Sequence, residues 1–148
     1  MRTYRALAVS LAAALAVAAN ATAATAPATE ASRITSQYSD WLGGKSNAEA
    51  IVAGLRSGSP VAIVTNGPNR TVSIAGFTPT GSMSYGNVSA ALSNAQRSLS
   101  RLGITKPTAE QIQAALIGGE ILLPSGASAT VRGTVAARGG ETGPVAAR

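Results

Sequence analysis

The stretch Asn47–Gly58 reads N-A-E-A-I-V-A-G-L-R-S-G, and Thr108–Gly119 repeats its pattern as T-A-E-Q-I-Q-A-A-L-I-G-G. This pair of stretches is the main guide to the fold. Six of the twelve aligned positions are identical. Each stretch begins with a polar residue suited to capping a helix, carries an acid in its first turn, and ends at glycine. The sequence therefore predicts two similar helices. An internal duplication and convergence on the same helix chemistry both explain the match.

Each of these helices is followed by a predicted β-hairpin. After the first, β-branched and alternating segments flank the turn-forming sequence Asn66-Gly67-Pro68-Asn69. After the second, two short apolar segments flank Pro124–Ala127. The predicted strands are residues 61–65, 71–77, 120–123 and 128–132. The hairpins are expected to form either one small antiparallel sheet or two separate ones.

A third helix is predicted between the two halves, over residues 85–102, with Ser84 as its N-cap and Gly103-Ile104 as a Schellman ending. Thr108 and Gln111 have the spacing of a capping box, and Asn47 or Ser46 is the predicted cap of the first helix. The fold class is accordingly α+β. We expect one small domain over residues 41–138 in the order αββ-α-αββ, with short antiparallel hairpins packed against three helices.

The N-terminal residues 1–24 have the pattern of an export signal. Arg2 and Arg5 precede an apolar run over residues 6–19, and Ala21-Thr22-Ala23 supplies an A-x-A cleavage pattern. We predict a periplasmic or secreted protein with no transmembrane segment after cleavage. Residues 25–40 are predicted to be an Ala/Thr-rich flexible lead-in and residues 139–148 a disordered tail. A last short helix beginning over residues 134–138 is one possibility, and the sequence leaves the helicity of residues 134–148 open.

The charge balance limits the class of partner. The chain carries 12 basic and 6 acidic residues; without Arg2 and Arg5, ten basic residues remain and the net charge is +4. The basic residues occur singly, which is typical of a solvated surface and not of a specific nucleic-acid site. An envelope protein or an anionic polymer is the expected partner, and binding of DNA or lipid through charge is a further alternative.

Catalytic and cofactor chemistry is restricted because the chain has no histidine and no cysteine. This excludes Ser-His-Asp and Cys-His nucleophile pairs and metal sites built on His or Cys. We expect no catalytic residue, no metal and no cofactor. A small hydrolase is the alternative, using a serine with Lys45 or Lys106 as base, or the carboxylates of Asp40 and Glu120.

Three residues are weak candidates for contact with a partner. Trp41 lies in the short aromatic segment Gln37–Gly44, where it can dock onto the domain, and Tyr85 and Asn87 lie beside a glycine at the start of the third helix. A structural role is the competing explanation for all three, since Tyr85 can cover the core and Ser84 can cap the helix.

The segment from Ser82 to Gly119 resembles a segment of uncharacterised small exported proteins of proteobacteria. The shared features are S-Y-G-N at residues 84–87, L-G-I-T-K-P-T at residues 102–108, and A-L-I-G-G at residues 115–119. The resemblance implies export and a compact domain, and it brings no activity. Those proteins continue with a tryptophan-bearing helix after the last strand, and residues 134–148 contain no tryptophan. We expect an exported, non-enzymatic binding or structural module of the cell envelope, which docks to protein or polymer through the hairpins or the region of Tyr85.

Overall fold

A computed structural model of the chain describes residues 18–139, and this part folds as a small α+β domain with four helices and two antiparallel sheets. The helices are α1 (Ala18–Tyr38), α2 (Lys45–Ser57), α3 (Tyr85–Arg101) and α4 (Ala109–Ile117). The strands are β1 (Val61–Asn66), β2 (Val72–Pro79), β3 (Gly119–Leu122), β4 (Ser128–Val131) and β5 (Ala137–Gly139). The predicted αββ-α-αββ order is confirmed, with α1 added at one end and β5 at the other.

The two predicted hairpins form separate sheets. β1 and β2 pair antiparallel with Val61 opposite Phe77, and β5 adds to the far side of β2 with Arg138 opposite Thr78. β3 and β4 pair only with each other in the second sheet. The strand order of the larger sheet is therefore β1-β2-β5.

The core lies between the helices and the inner face of the larger sheet. The repeated helix positions supply much of it, since Ile51 and Leu55 of α2 and Ile112 and Leu116 of α4 are fully buried. The largest fully buried side chains are Phe77, Ile34, Leu42, Ile51, Leu55, Ile63, Leu92, Leu99, Ile112, Leu116 and Val88. The pattern shared by the two stretches thus marks two buried helix faces.

The helix ends follow the sequence prediction closely except at the start of α2, where Glu49 also lies beyond the first turn. The Ser84 cap, the Thr108–Gln111 capping box and the Schellman bonds of Gly103 and Ile104 are all present. Asn47 is not a cap: α2 begins at Lys45, with Gly44 as the N-cap residue. The Asn47 side chain is buried and bonds to the backbone of β1 instead.

The structure differs from the sequence expectations at both ends of the domain. The predicted flexible lead-in is helical as far as Tyr38, because Ile34 and Tyr38, four residues apart, bury against the domain. A helix over residues 134–138 is absent, because the Thr134 and Val135 N–H groups both donate to the Leu116 carbonyl and the chain then enters β5. The core accordingly begins before residue 41.

The start of the predicted signal peptide (residues 1–17) and the end of the predicted tail (residues 140–148) lie outside the described residues. Among the helices that are described, none has the length and apolar character needed to cross a bilayer.

Candidate binding surface

The outer face of the larger sheet exposes a cluster of aliphatic side chains. Among the described residues, four large hydrophobic side chains are exposed, and three of them, Val64 (45%), Val72 (57%) and Ile74 (53%), lie on this face. Val64 stands directly opposite Ile74, and Val72 is two residues before Ile74 on β2. We name the set of outward-facing residues the outer sheet face: Ala62, Val64, Asn66, Val72, Ile74, Gly76, Thr78 and Arg138.

The charges at this face are of one sign. Arg138 lies on β5 opposite Thr78, at one end of the aliphatic cluster. Arg70 lies at the other end, in the turn that joins β1 to β2, and holds a left-handed backbone conformation with φ 61°. None of the eight residues of the outer sheet face is acidic. The face therefore presents an apolar centre between two arginines.

The edge of β1 beside this face is occupied by a side chain of α2. Asn47 Nδ2 donates to the Val64 carbonyl oxygen at 2.7 Å, and the Val64 N–H donates to Asn47 Oδ1 at 3.1 Å. Nδ2 also donates to the Leu42 carbonyl oxygen at 2.8 Å. The carboxamide thus bonds to Val64 as a neighbouring strand would, and it prevents strand addition there.

Two further carboxamides from α4 bond to strand edges. Gln113 Nε2 donates to the Gly76 carbonyl oxygen at 2.6 Å, on the edge of β2 that β5 leaves uncovered. Gln111 Nε2 donates to the Leu122 carbonyl oxygen at 2.9 Å, on β3. At these positions a partner cannot add a strand without displacing a helix side chain. The side chains of the outer sheet face remain accessible.

The three residues predicted to contact a partner are found in different environments. Trp41 is only 7% exposed and packs edge-on against Tyr38, so it is withdrawn from the contact surface. Tyr85 is half-buried beneath the guanidinium of Arg56, 4.1 Å from its ring centre. Asn87 is exposed, and its backbone N–H donates to the Ser84 cap. Tyr85 and Arg56 join α2 to the start of α3, which is a structural role.

The residues of the hydrolase alternative are all exposed. Lys45 pairs with Glu49 at 3.6 Å and its side chain is 76% exposed, and Lys106 is exposed in the α3–α4 connection. Asp40 and Glu120 are also exposed, the first in the turn after α1 and the second on the separate sheet of β3 and β4. Within residues 18–139, no group of three or more His, Cys, Asp or Glu side chains could hold a metal ion.

A shallow groove of about 420 Å³ lies between the α3–α4 connection and β3. Its apolar lining includes Ile104, Leu122 and Leu123, with Lys106 at one side. Two of its polar side chains, Thr108 and Gln111, are already engaged in the capping box of α4. The groove therefore offers fewer free recognition groups than its size suggests.

No protein-family model, curated protein or solved structure matches this chain. The sequence indicated the hairpins as docking elements but did not distinguish the outer sheet face within them. The available signal was the alternation in β2, where Val72 and Ile74 are separated by Ser73.

Proposed function

We propose that this chain is an exported, non-enzymatic binding module of the cell envelope, and that it docks through the outer sheet face. The observation that carries this function is the grouping of Val64, Val72 and Ile74 on one exposed face. Scattered exposed aliphatic residues are ordinary, whereas a contiguous apolar group on a small domain is typical of an interaction site.

The orientation of β2 supports this function. Ala75 and Phe77 point into the core, so Ser73 points inward as well and Val72 and Ile74 point outward. The Ser73 Oγ is buried and has no hydrogen-bond partner among the described residues. Burying an unpaired hydroxyl while exposing two aliphatic side chains costs folding free energy. Such departures from the local rules are expected where a surface is kept for binding.

Export is supported by the signal-like pattern of residues 1–24 and by the resemblance of residues 82–119 to exported proteins. The position of the buried residues agrees with cleavage. The described buried residues of α1 are Ile34, Thr35 and Tyr38, which all follow the possible cleavage points after Ala21, Ala23 or Ala24. A processed chain would keep every one of them.

Two measurements test this function. The first is the N-terminal residue of the chain recovered from fractionated cells, which we expect to be processed after Ala21, Ala23 or Ala24 and to lie outside the inner membrane. The second is cosedimentation of the processed chain with isolated envelopes. We expect retention by the wild type and loss of retention by the triple variant Val64→Thr/Val72→Thr/Ile74→Thr, because threonine keeps the β-branched shape and removes apolar surface.

The matched control is Leu122→Thr, since Leu122 is the fourth exposed large hydrophobic residue (66%) and lies on the other sheet. It should bind like the wild type. Equal retention of the triple variant and the wild type would remove the outer sheet face as the docking site. A full-length chain confined to the cytoplasm would contradict an envelope role.

A further inference from the structure

We infer that the outer sheet face binds the surface of a lipid bilayer that contains anionic phospholipid. This role rests on the proposed function and adds to it the chemical class of the partner. Three features carry it: the size of the apolar cluster, the occupied strand edges, and the charge of the surrounding side chains.

The outer sheet face is smaller than a protein interface of standard size. β1 has six residues, which span about 20 Å at about 3.3 Å per residue, and three strands about 4.8 Å apart give a face of roughly 300 Å². A stable interface between two proteins, including two copies of this chain, needs about 800 Å² from each partner. A bilayer surface has no such requirement, because aliphatic side chains enter it without shape complementarity.

The occupied edges argue against an extended peptide. Recognition by strand addition draws its affinity from the free backbone groups of an edge strand. Asn47 holds both polar backbone groups of Val64, and Gln113 holds the Gly76 carbonyl. At these two positions, a ligand of this face is recognised by side chains, as a lipid surface is.

The charges match an anionic surface. Arg70 and Arg138 lie beyond opposite ends of the aliphatic cluster, and the outer sheet face carries no carboxylate that would oppose the approach of phosphate. Val72 and Thr78, which neighbours Arg138, are six residues apart along β2, or about 20 Å, and Arg70 precedes Val72 in the turn. With the hairpin lying flat, both guanidinium groups reach the headgroups while Val64, Val72 and Ile74 enter the boundary below them.

Vesicle flotation tests this role. The protein used is the chain as the exporting cell processes it, and its N-terminus is determined by intact-mass measurement. The probes are vesicles of phosphatidylcholine alone and of phosphatidylcholine mixed with phosphatidylglycerol. We expect binding to the mixed vesicles to exceed binding to phosphatidylcholine vesicles and to weaken with added salt. Arg70→Asn and Arg138→Gln should each lower affinity about fivefold. The triple threonine variant should lower it about tenfold or more.

Leu122→Thr and Arg101→Gln are the matched controls, because both residues are exposed and neither belongs to the outer sheet face. Both should bind like the wild type, and each variant's unfolding curve shows that it is folded. Equal binding of wild type and triple variant to the mixed vesicles would overturn the lipid role, as would absence of wild-type binding. In either case, envelope retention that the triple variant abolishes would still support the proposed function, with a partner other than lipid.

Discussion

The carboxamide of Asn47 bonds to both backbone polar groups of Val64: its Nδ2 lies 2.7 Å from the carbonyl oxygen, and its Oδ1 lies 3.1 Å from the amide nitrogen. One buried side chain thereby joins α2 to β1 and satisfies a strand edge that would otherwise face solvent or another chain. Because Asn47 Nδ2 also donates to the Leu42 carbonyl, the turn before α2 is fixed by the same group. Asn47 is thus a central structural residue of the domain.

Asn47→Ala should lower the free energy of unfolding by about 2–4 kcal/mol. The substitution removes three hydrogen bonds and leaves the polar groups of Val64 and Leu42 without this partner. Asn47→Asp should also destabilise the fold, because a carboxylate accepts from Val64 N–H and cannot donate to either carbonyl. Urea unfolding followed by the fluorescence of Trp41, the one tryptophan of the chain, measures both.

The control for Asn47 is Asn94→Ala, at an exposed position within α3. It should be neutral or slightly stabilising, because alanine has the higher helix propensity. If Asn47→Ala unfolded at the same urea concentration as Asn94→Ala, the carboxamide would not carry the role assigned to it.

Thr65 of β1 caps the start of α4 through a hydrogen bond that its side chain accepts. Its Oγ1 accepts from the N–H of Ala109, the first residue of α4, at 2.8 Å in a buried environment. Thr65→Val keeps the shape and removes the acceptor, so it should cost about 1–2 kcal/mol. Amide hydrogen exchange should show loss of protection at Ala109. Thr130→Val, at an exposed strand position, should stay within about 0.5 kcal/mol of the wild type. Unchanged exchange at Ala109 would contradict the capping role.

The features that local sequence determines were predictable. Helix caps and endings depend on residues within one turn of each other, so Ser84, the Thr108–Gln111 box and Gly103-Ile104 were recognisable from spacing alone. The roles of Asn47 and Thr65 were not, because their partners lie 17 and 44 residues away. Asn47 also stood at a position where a cap residue was expected, and the local interpretation was wrong.

The candidate surface escaped prediction for a related reason. Alternation along β2 defines two faces but does not identify the buried one. Because Val72 and Ile74 are more apolar than Ser73, the local pattern favours burial of Val72 and Ile74. The structure instead buries the opposite face of β2, with Ala75, Phe77 and the Ser73 hydroxyl. The large ring of Phe77 and the inward side chains of β1 determine the choice, and both act through tertiary packing.

Gly54 allows α2 to lie close against β1. A Cβ at this position would collide with Val61 Cγ2 and approach the Ser59 carbonyl oxygen to 3.1 Å. Gly54→Ala should therefore lower the free energy of unfolding by about 1–3 kcal/mol, despite the better helix propensity of alanine. Gly86, in the first turn of α3, has open space where a Cβ would stand, and Gly86→Ala should stabilise by about 0.5–1 kcal/mol. Thermal unfolding of the two variants gives opposite shifts in Tm; shifts of the same sign would refute the close approach.

Substitution of Arg70 by asparagine should change stability and vesicle binding in opposite directions. Its left-handed backbone, with φ 61°, is unfavourable for arginine and tolerated by asparagine, so Arg70→Asn should raise the free energy of unfolding by about 0.5–1 kcal/mol. The same change should weaken vesicle binding, since it removes a charge from one end of the outer sheet face. Arg132→Asn, at an exposed residue with ordinary φ, should change neither property. A more stable Arg70→Asn variant with undiminished vesicle binding would show that Arg70 does not contact lipid. A more stable variant that binds less tightly indicates that the strained arginine is retained for its charge.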